Sequence, residues 1–242
     1  MMPVISPDLA AQRKERQNQI IELENEVGFS KPKQESRQSE WEEEWLEADR
    51  RWTVLTPLRF ISASGATLQR QPDNSLLVSG IGTWDDTYSI IARTELTNIT
   101  AVRLELLADD RLPGRGPGRV TGGNVVLSEF ELSVAPSAPI AIFKPAPLTN
   151  ATTDFAQVAF PIGAALDGDL AAGWAIAPAV GQPHQAVFEL QQPVSLPEGA
   201  LLRFSLKQAF GSYVTIGKSW LRSAMDDERG RFRILAAFEY AQ

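Results

Sequence analysis

The chain has 242 residues, 43% of them hydrophobic, and a net charge of −7, which leaves room for one sizeable core with an acidic bias. That balance disfavours nucleic acid as a partner, because phosphate recognition rewards dense positive charge. With no cysteine there is no disulfide, thiolate metal site or cysteine nucleophile, and no apolar run approaches the roughly 20 residues that span a bilayer.

From the N-terminus, Met1 to Asp8 carries neither a basic nor an apolar stretch, so no signal peptide is expected. The compartment stays open between the cytoplasm and export as a piece of a longer protein. Residues 1–52 hold 8 of the 23 Lys/Arg and 12 of the 30 Asp/Glu. Ser6-Pro7-Asp8 opens a helix with a capping hydroxyl, a first-turn proline and an acid facing the helix dipole. Leu9, Ile20, Leu23 and Val27 then recur at helical steps up to Gly28. After Lys31-Pro-Lys33, Ser39 and Glu42 form a capping box leading into Trp41, Trp45 and Leu46. Two helices over 8–27 and 39–50, each with a narrow apolar stripe, make residues 1–51 a charged helical arm. Such an arm either packs on a domain or docks a partner.

Residues 52–242 have another texture, short strand-like runs between Gly, Pro, Asn and Asp. Strands are expected at Thr53–Leu58, Thr67–Arg70, Ser75–Ser79, Asp86–Ala92, Ala101–Leu107, Asn124–Ala135 and Ile140–Lys144. Later ones are expected at Gln185–Leu190, Ala200–Gln208, Ser212–Ile216 and Phe232–Ala237. Val102, Leu104 and Leu106 alternate with Arg103 and Glu105, as a strand with one wet face does. Many strands with no long helix between them predict a mainly β fold, a β-sandwich of jelly-roll type.

Two loops stand out. Leu112-Pro-Gly-Arg-Gly-Pro-Gly-Arg119 places three glycines and two prolines together, which suits neither a helix nor a central strand. Its Arg115, at the tip, is a candidate for outside contact with sulfate, phosphate or carboxylate. Arg119 either does the same or pairs inside the protein with Glu129 or Asp110. Asn124 is expected to bond its own loop. The second loop, Asp167-Gly-Asp169 followed by Gly173-Trp174, either ties itself through backbone N–H bonds or presents Asp167 and Asp169 to a structural calcium.

Candidates for stacking on a sugar ring are Trp84, Tyr88 and Tyr213, taken as exposed aromatics. The chain's single histidine, His184, sits in a turn and is expected to be solvated. No nucleophile elbow, phosphate loop, dinucleotide fingerprint or metalloenzyme spacing appears, so no catalytic set is expected.

Taken in order, Trp52-x-x-Leu55-x-Pro57, Asp86-Thr-Tyr88, Ile99–Glu105, the Leu112–Arg119 loop, Gly123–Glu129 and Asp154–Gln157 form one set. Ala165–Asp169, Gly173–Ile176 with Pro178, His184–Glu189 and Thr215–Gly217 complete it. This set, over residues 40–224, resembles a conserved region of large multidomain proteins abundant in planctomycetes, where it accompanies a c-type haem domain. The haem motif itself is absent here. The Asp-Gly-Asp…Gly-Trp piece is also similar to discoidin-type, galactose-binding-like jelly rolls, in which that loop often holds calcium; Ala172 replaces their usual threonine or serine. The resemblance implies an exported, non-catalytic module that binds a polysaccharide or glycoconjugate, an anionic one included. The alternative is a structural domain docking another protein through the arm and the Gly/Pro-rich loop.

Overall fold

The computed structural model describes residues 14–20, 51–138 and 141–225. Residues 14–20, within the first expected helix, are helical and exposed; the second expected helix and the Phe232–Ala237 strand lie outside the described residues. Met1–Arg50 and Arg51–Gln242 form two compact units, and the functional question concerns the second.

Fourteen strands build that unit among the described residues: β1 (Trp52–Val54), β2 (Thr56–Ser62), β3 (Thr67–Arg70), β4 (Leu76–Ser79) and β5 (Asp86–Thr94). Then come β6 (Asn98–Leu106), β7 (Val126–Leu127), β8 (Glu129–Pro136), β9 (Lys144–Pro145) and β10 (Leu148–Thr153). The last are β11 (Trp174–Ala175), β12 (His184–Ser195), β13 (Ala200–Gln208) and β14 (Lys218–Ala224). One sheet runs β10-β12-β6-β14-β4-β3 with β1 also on β14; the other runs β2-β5-β13-β8-β9. A short β11–β7 pair stands apart from both. Successive strands repeatedly change sheet, as from β5 to β6, β12 to β13 and β13 to β14. The fold is a jelly-roll β-sandwich with antiparallel pairing.

Period-two alternation places the core. Tyr88, Ile90 and Ala92 of β5 point inward with Leu202, Phe204 and Leu206 of β13, opposite Val102, Leu104 and Leu106 of β6. Each fully buried Leu, Ile or Phe contributes about 1.5–3 kcal/mol, so these strands dominate stability. Phe130 of β8 stacks on Phe188 of β12 at 4.3 Å between ring centroids and an interplanar angle of 21°, joining the two sheets.

Several expected boundaries shift for physical reasons. The expected Thr53–Leu58 strand breaks at Leu55, which is buried where the chain crosses from one sheet to the other. Asn124–Ala135 is likewise two strands, parted at Ser128. Ser212–Ile216 is no strand: Ser212 and Tyr213 have φ of 58° and 62°, and Thr215 N–H donates to the Tyr213 carbonyl. Its place in the sheet is taken by β14.

Candidate functional site at one end of the sandwich

Strand register gathers the long loops. Gln208 pairs with Asp86, Lys207 with Glu129, and Leu106 with both His184 and Ser219. The segments 80–85, 107–125, 154–183 and 209–217 therefore leave from the same end of the two sheets.

Trp84 and Tyr213 form the centre of this rim. They meet edge to face, with ring centroids 5.6 Å apart, and their residues are 58% and 49% exposed. Tyr213 N–H donates to the Trp84 carbonyl at 3.3 Å, tying the two loops by backbone as well as by ring contact. Gly211, at φ 89°, makes room for the indole: a Cβ there would lie 2.6 Å from Trp84 Nε1. A side chain at 211 would thus displace the ring that the loop presents.

Beside these rings runs an open groove of about 340 Å³, lined by Val78, Gly80, Gly82, Arg111, Leu112 and Arg119 among others. Gly82 joins groove and rings, since a Cβ there would touch Tyr213 at 3.8 Å. Arg119 Nη2 donates to the carbonyls of Gly80 at 2.8 Å and Ser79 at 3.3 Å. Arg119 is therefore a clamp on the groove wall, and neither acid expected for it, Glu129 or Asp110, is its partner. Arg111 holds Asp109 through two hydrogen bonds of 2.7 Å, and Lys218 Nζ donates to the same carboxylate at 3.0 Å. These contacts, Arg111 foremost, keep the Asp109 carboxyl far below the usual carboxylate range.

Arg115 sits on the exposed 3-10 turn Pro113–Arg115 and pairs with Asp110 at 2.9 Å, both side chains largely in water. Such a pair is weak and exchangeable. The rest of the basic loop is fixed: Gly116, Pro117 and Gly118 are buried. Arg119 N–H donates to Thr215, Gly217 N–H to Pro117, and Gly181 N–H to Gly116. At Gly118 a Cβ would fall 1.8 Å from the Asn124 carbonyl oxygen, so backbone packs on backbone. Asn124 does not bond its own loop. Its Oδ1 accepts from the amides of Ile176 at 3.2 Å and Ala177 at 3.0 Å, while Nδ2 donates to Gln157.

Tyr88 is not at the surface. Its ring is in the core at 1% exposure and its hydroxyl donates to the Ile216 carbonyl at 2.9 Å. Residues 86, 88, 90 and 92 share one face of β5, which turns Tyr88 inward and removes it from the stacking candidates. His184 is also buried rather than solvated.

In the acidic loop, Asp169 N–H donates to Asp167 Oδ1 at 2.8 Å and Ala171 N–H to Asp169 Oδ1 at 2.9 Å. Gly168 N–H donates to Glu129 Oε1 at 2.5 Å, and the buried Trp174 donates Nε1–H to the Phe155 carbonyl at 2.9 Å. Burial, with the nearby charge of Asp167, raises the Glu129 carboxyl above its ordinary range. Among the described residues no three His, Asp or Glu side chains gather to hold a metal ion. One oxygen of each aspartate is engaged in closing the loop.

No family model and no curated protein matches this chain, so neither resemblance gains a family assignment. Among solved structures it is similar, at 10% identity and a TM-score of 0.37, to a Clostridium perfringens ZmpB structure. That structure contains two CBM32 domains and an M60 catalytic domain; the match covers 74% of this chain and 16% of that one.

Proposed function

We propose that this chain is a non-catalytic carbohydrate-binding module whose ligand lies across Trp84 and Tyr213 and along the adjoining groove. The observation that carries this reading is the half-exposed aromatic pair, fixed by Gly211 and a backbone hydrogen bond at the loop end. Two large rings held rigidly in water cost hydration free energy unless something covers them. Pyranose rings offer C–H faces that suit aromatic surfaces, and their hydroxyls suit the carbonyls and guanidinium groups of the groove.

Arg115 extends the reading to anionic glycans. Its exposed partner Asp110 is exchangeable for a sulfate or uronate carboxylate of matching planar geometry. Three acids near the site are already engaged, which favours binding: Asp109 is held by Arg111 and Lys218, Asp86 by Ser62 and backbone amides, and Asp154 by His184. A second reading, docking of another protein, is favoured by the apolar side chains Ile81, Val158 and Phe210, all exposed on these same loops.

Isothermal titration with neutral, uronate-containing and sulfated oligosaccharides tests the proposal. Binding in the micromolar to millimolar range, weakened at least about tenfold by Trp84→Ala, is expected, since one ring contact is worth roughly 0.5–1.5 kcal/mol beyond its burial. Arg115→Gln should weaken only the anionic ligands. Absence of heat with every oligosaccharide at millimolar concentration would overturn the proposal in favour of protein docking.

A further inference from the structure

His184 begins β12 and its side chain is 2% exposed. Nδ1 lies 2.9 Å from Asp154 Oδ2, and Nε2 lies 2.5 Å from the Ala179 carbonyl oxygen. Both neighbours are acceptors. A neutral imidazole has one N–H, so it would turn a lone pair toward one of these oxygens; only the doubly protonated ring donates to both. The geometry therefore selects imidazolium, with Asp154 as counter-ion.

No other charge competes for the ring among the described residues. The β6 position opposite is Leu106, and across from that on β14 is Ser219. The neighbouring ionisable groups are occupied, Glu105 by Arg103 and Arg222, and Lys218 by Asp109. Phe155 packs on the ring at 5.6 Å between centroids. Burial alone would drive the proton off, but the bonds to Asp154 and Ala179 and the carboxylate charge outweigh it and raise the pKa above 6.5.

What the two bonds join is the end of β10 and the loop 176–183. Asp154 Oδ1 also accepts from Gln185 N–H at 2.8 Å, so the carboxylate stays with the sheet while Nε2 grips the loop. One step further, Gly181 N–H donates to the Gly116 carbonyl at 2.7 Å, and a Cβ on Gly181 would stand 3.2 Å from the Gly114 carbonyl oxygen. The loop is thus a brace between the histidine and the turn that carries Arg115.

We infer that His184 is a proton-operated latch: while protonated it clamps the 176–183 loop to the β10 end and steadies the Arg115 turn, and loss of the proton gives up one of its two bonds and loosens both. The ring binds its proton more tightly when the loop is closed, so closure is favoured most below pH 6.5, the ordinary value, and weakens as pH rises toward the folded midpoint. Across that window the open fraction grows, by at most about tenfold per pH unit, and it is flat on either side.

Because the chain has one histidine, its imidazole nitrogens give a single unambiguous NMR signal pair. The ¹⁵N-labelled full chain is titrated from about pH 5 to about pH 9. Below pH 6.5 both nitrogens should be protonated, and the midpoint should lie above 6.5. The Gly181 amide, corrected for intrinsic base-catalysed exchange, should open with the same midpoint, and Asp154→Asn should move that midpoint down. A neutral tautomer below pH 6.5, a midpoint at or below 6.5, or Gly181 opening that ignores the titration would each overturn the latch.

Discussion

The basic and the acidic loop are held in opposite ways. The Leu112–Arg119 segment is fastened by other parts of the chain, through Thr215, Gly217, Gly181 and the Ser79 and Gly80 carbonyls. Asp167–Ala171 is fastened chiefly by its own aspartates, each capping the amide two residues on. A loop stapled to three others moves only if they move, and it transmits a change at any of them. A self-closed loop holds its shape alone and reports to little else.

The sharpest way to break that contrast is Gly118→Ala. Its Cβ would enter the Asn124 carbonyl at 1.8 Å, so the staples among 117, 123 and 217 must rearrange. A loss of about 3 kcal/mol or more in urea unfolding is expected, at the upper end of what overpacking costs. Next comes Arg119→Met, which keeps the stem but strips the donor from the Gly80 and Ser79 carbonyls. It should cost about 1–2 kcal/mol and blunt the Trp84 fluorescence change on ligand binding, because segment 80–85 loosens. Gly168→Ala sharpens the comparison from the acidic side. Its φ is 84°, yet nothing lies within 4 Å of the added Cβ, so only the conformational penalty of about 1 kcal/mol applies. Smallest is Asp110→Asn: the Arg115 pair it breaks is exposed, and thermal melting should register less than about 0.5 kcal/mol.

The parts of this fold that were legible were those where burial and periodicity agree. β3 and β13 were readable residue for residue, and most of β5 and β6 was readable from alternation alone. β14 was missed because its inward positions include Ser219 and Ser223, small polar residues that erase the apolar beat. β10, Leu148–Thr153, is a threonine-rich edge strand of intermediate burial with the same weakness. The stretch Ser212–Ile216 failed in the other direction: Tyr, Val, Thr and Ile favour strands, but two consecutive left-handed residues override that preference.

At the site, the sequence placed Trp84 and Tyr213 as accessible rings and Arg115 at a loop tip. It misplaced Tyr88 and His184, although the signal was present. Tyr88 has the parity of Ile90 and Ala92, and His184 that of Ala186 and Phe188, so both belong to inward faces. Asn124 and Gly211 could not be assigned in advance, since their roles depend on segments 53 and more than 100 residues away, respectively, meeting them in space.

β1 lies antiparallel against the far end of β14, with Trp52 opposite Ala224, whereas Lys218 marks the end of β14 that bears the rim. The two ends of the described sandwich, Trp52 and Ala224, thus lie side by side, on the side remote from Trp84 and Tyr213. Joining 224 to 52 with a short linker and reopening the chain at exposed Leu170 should yield a circular permutant that still folds.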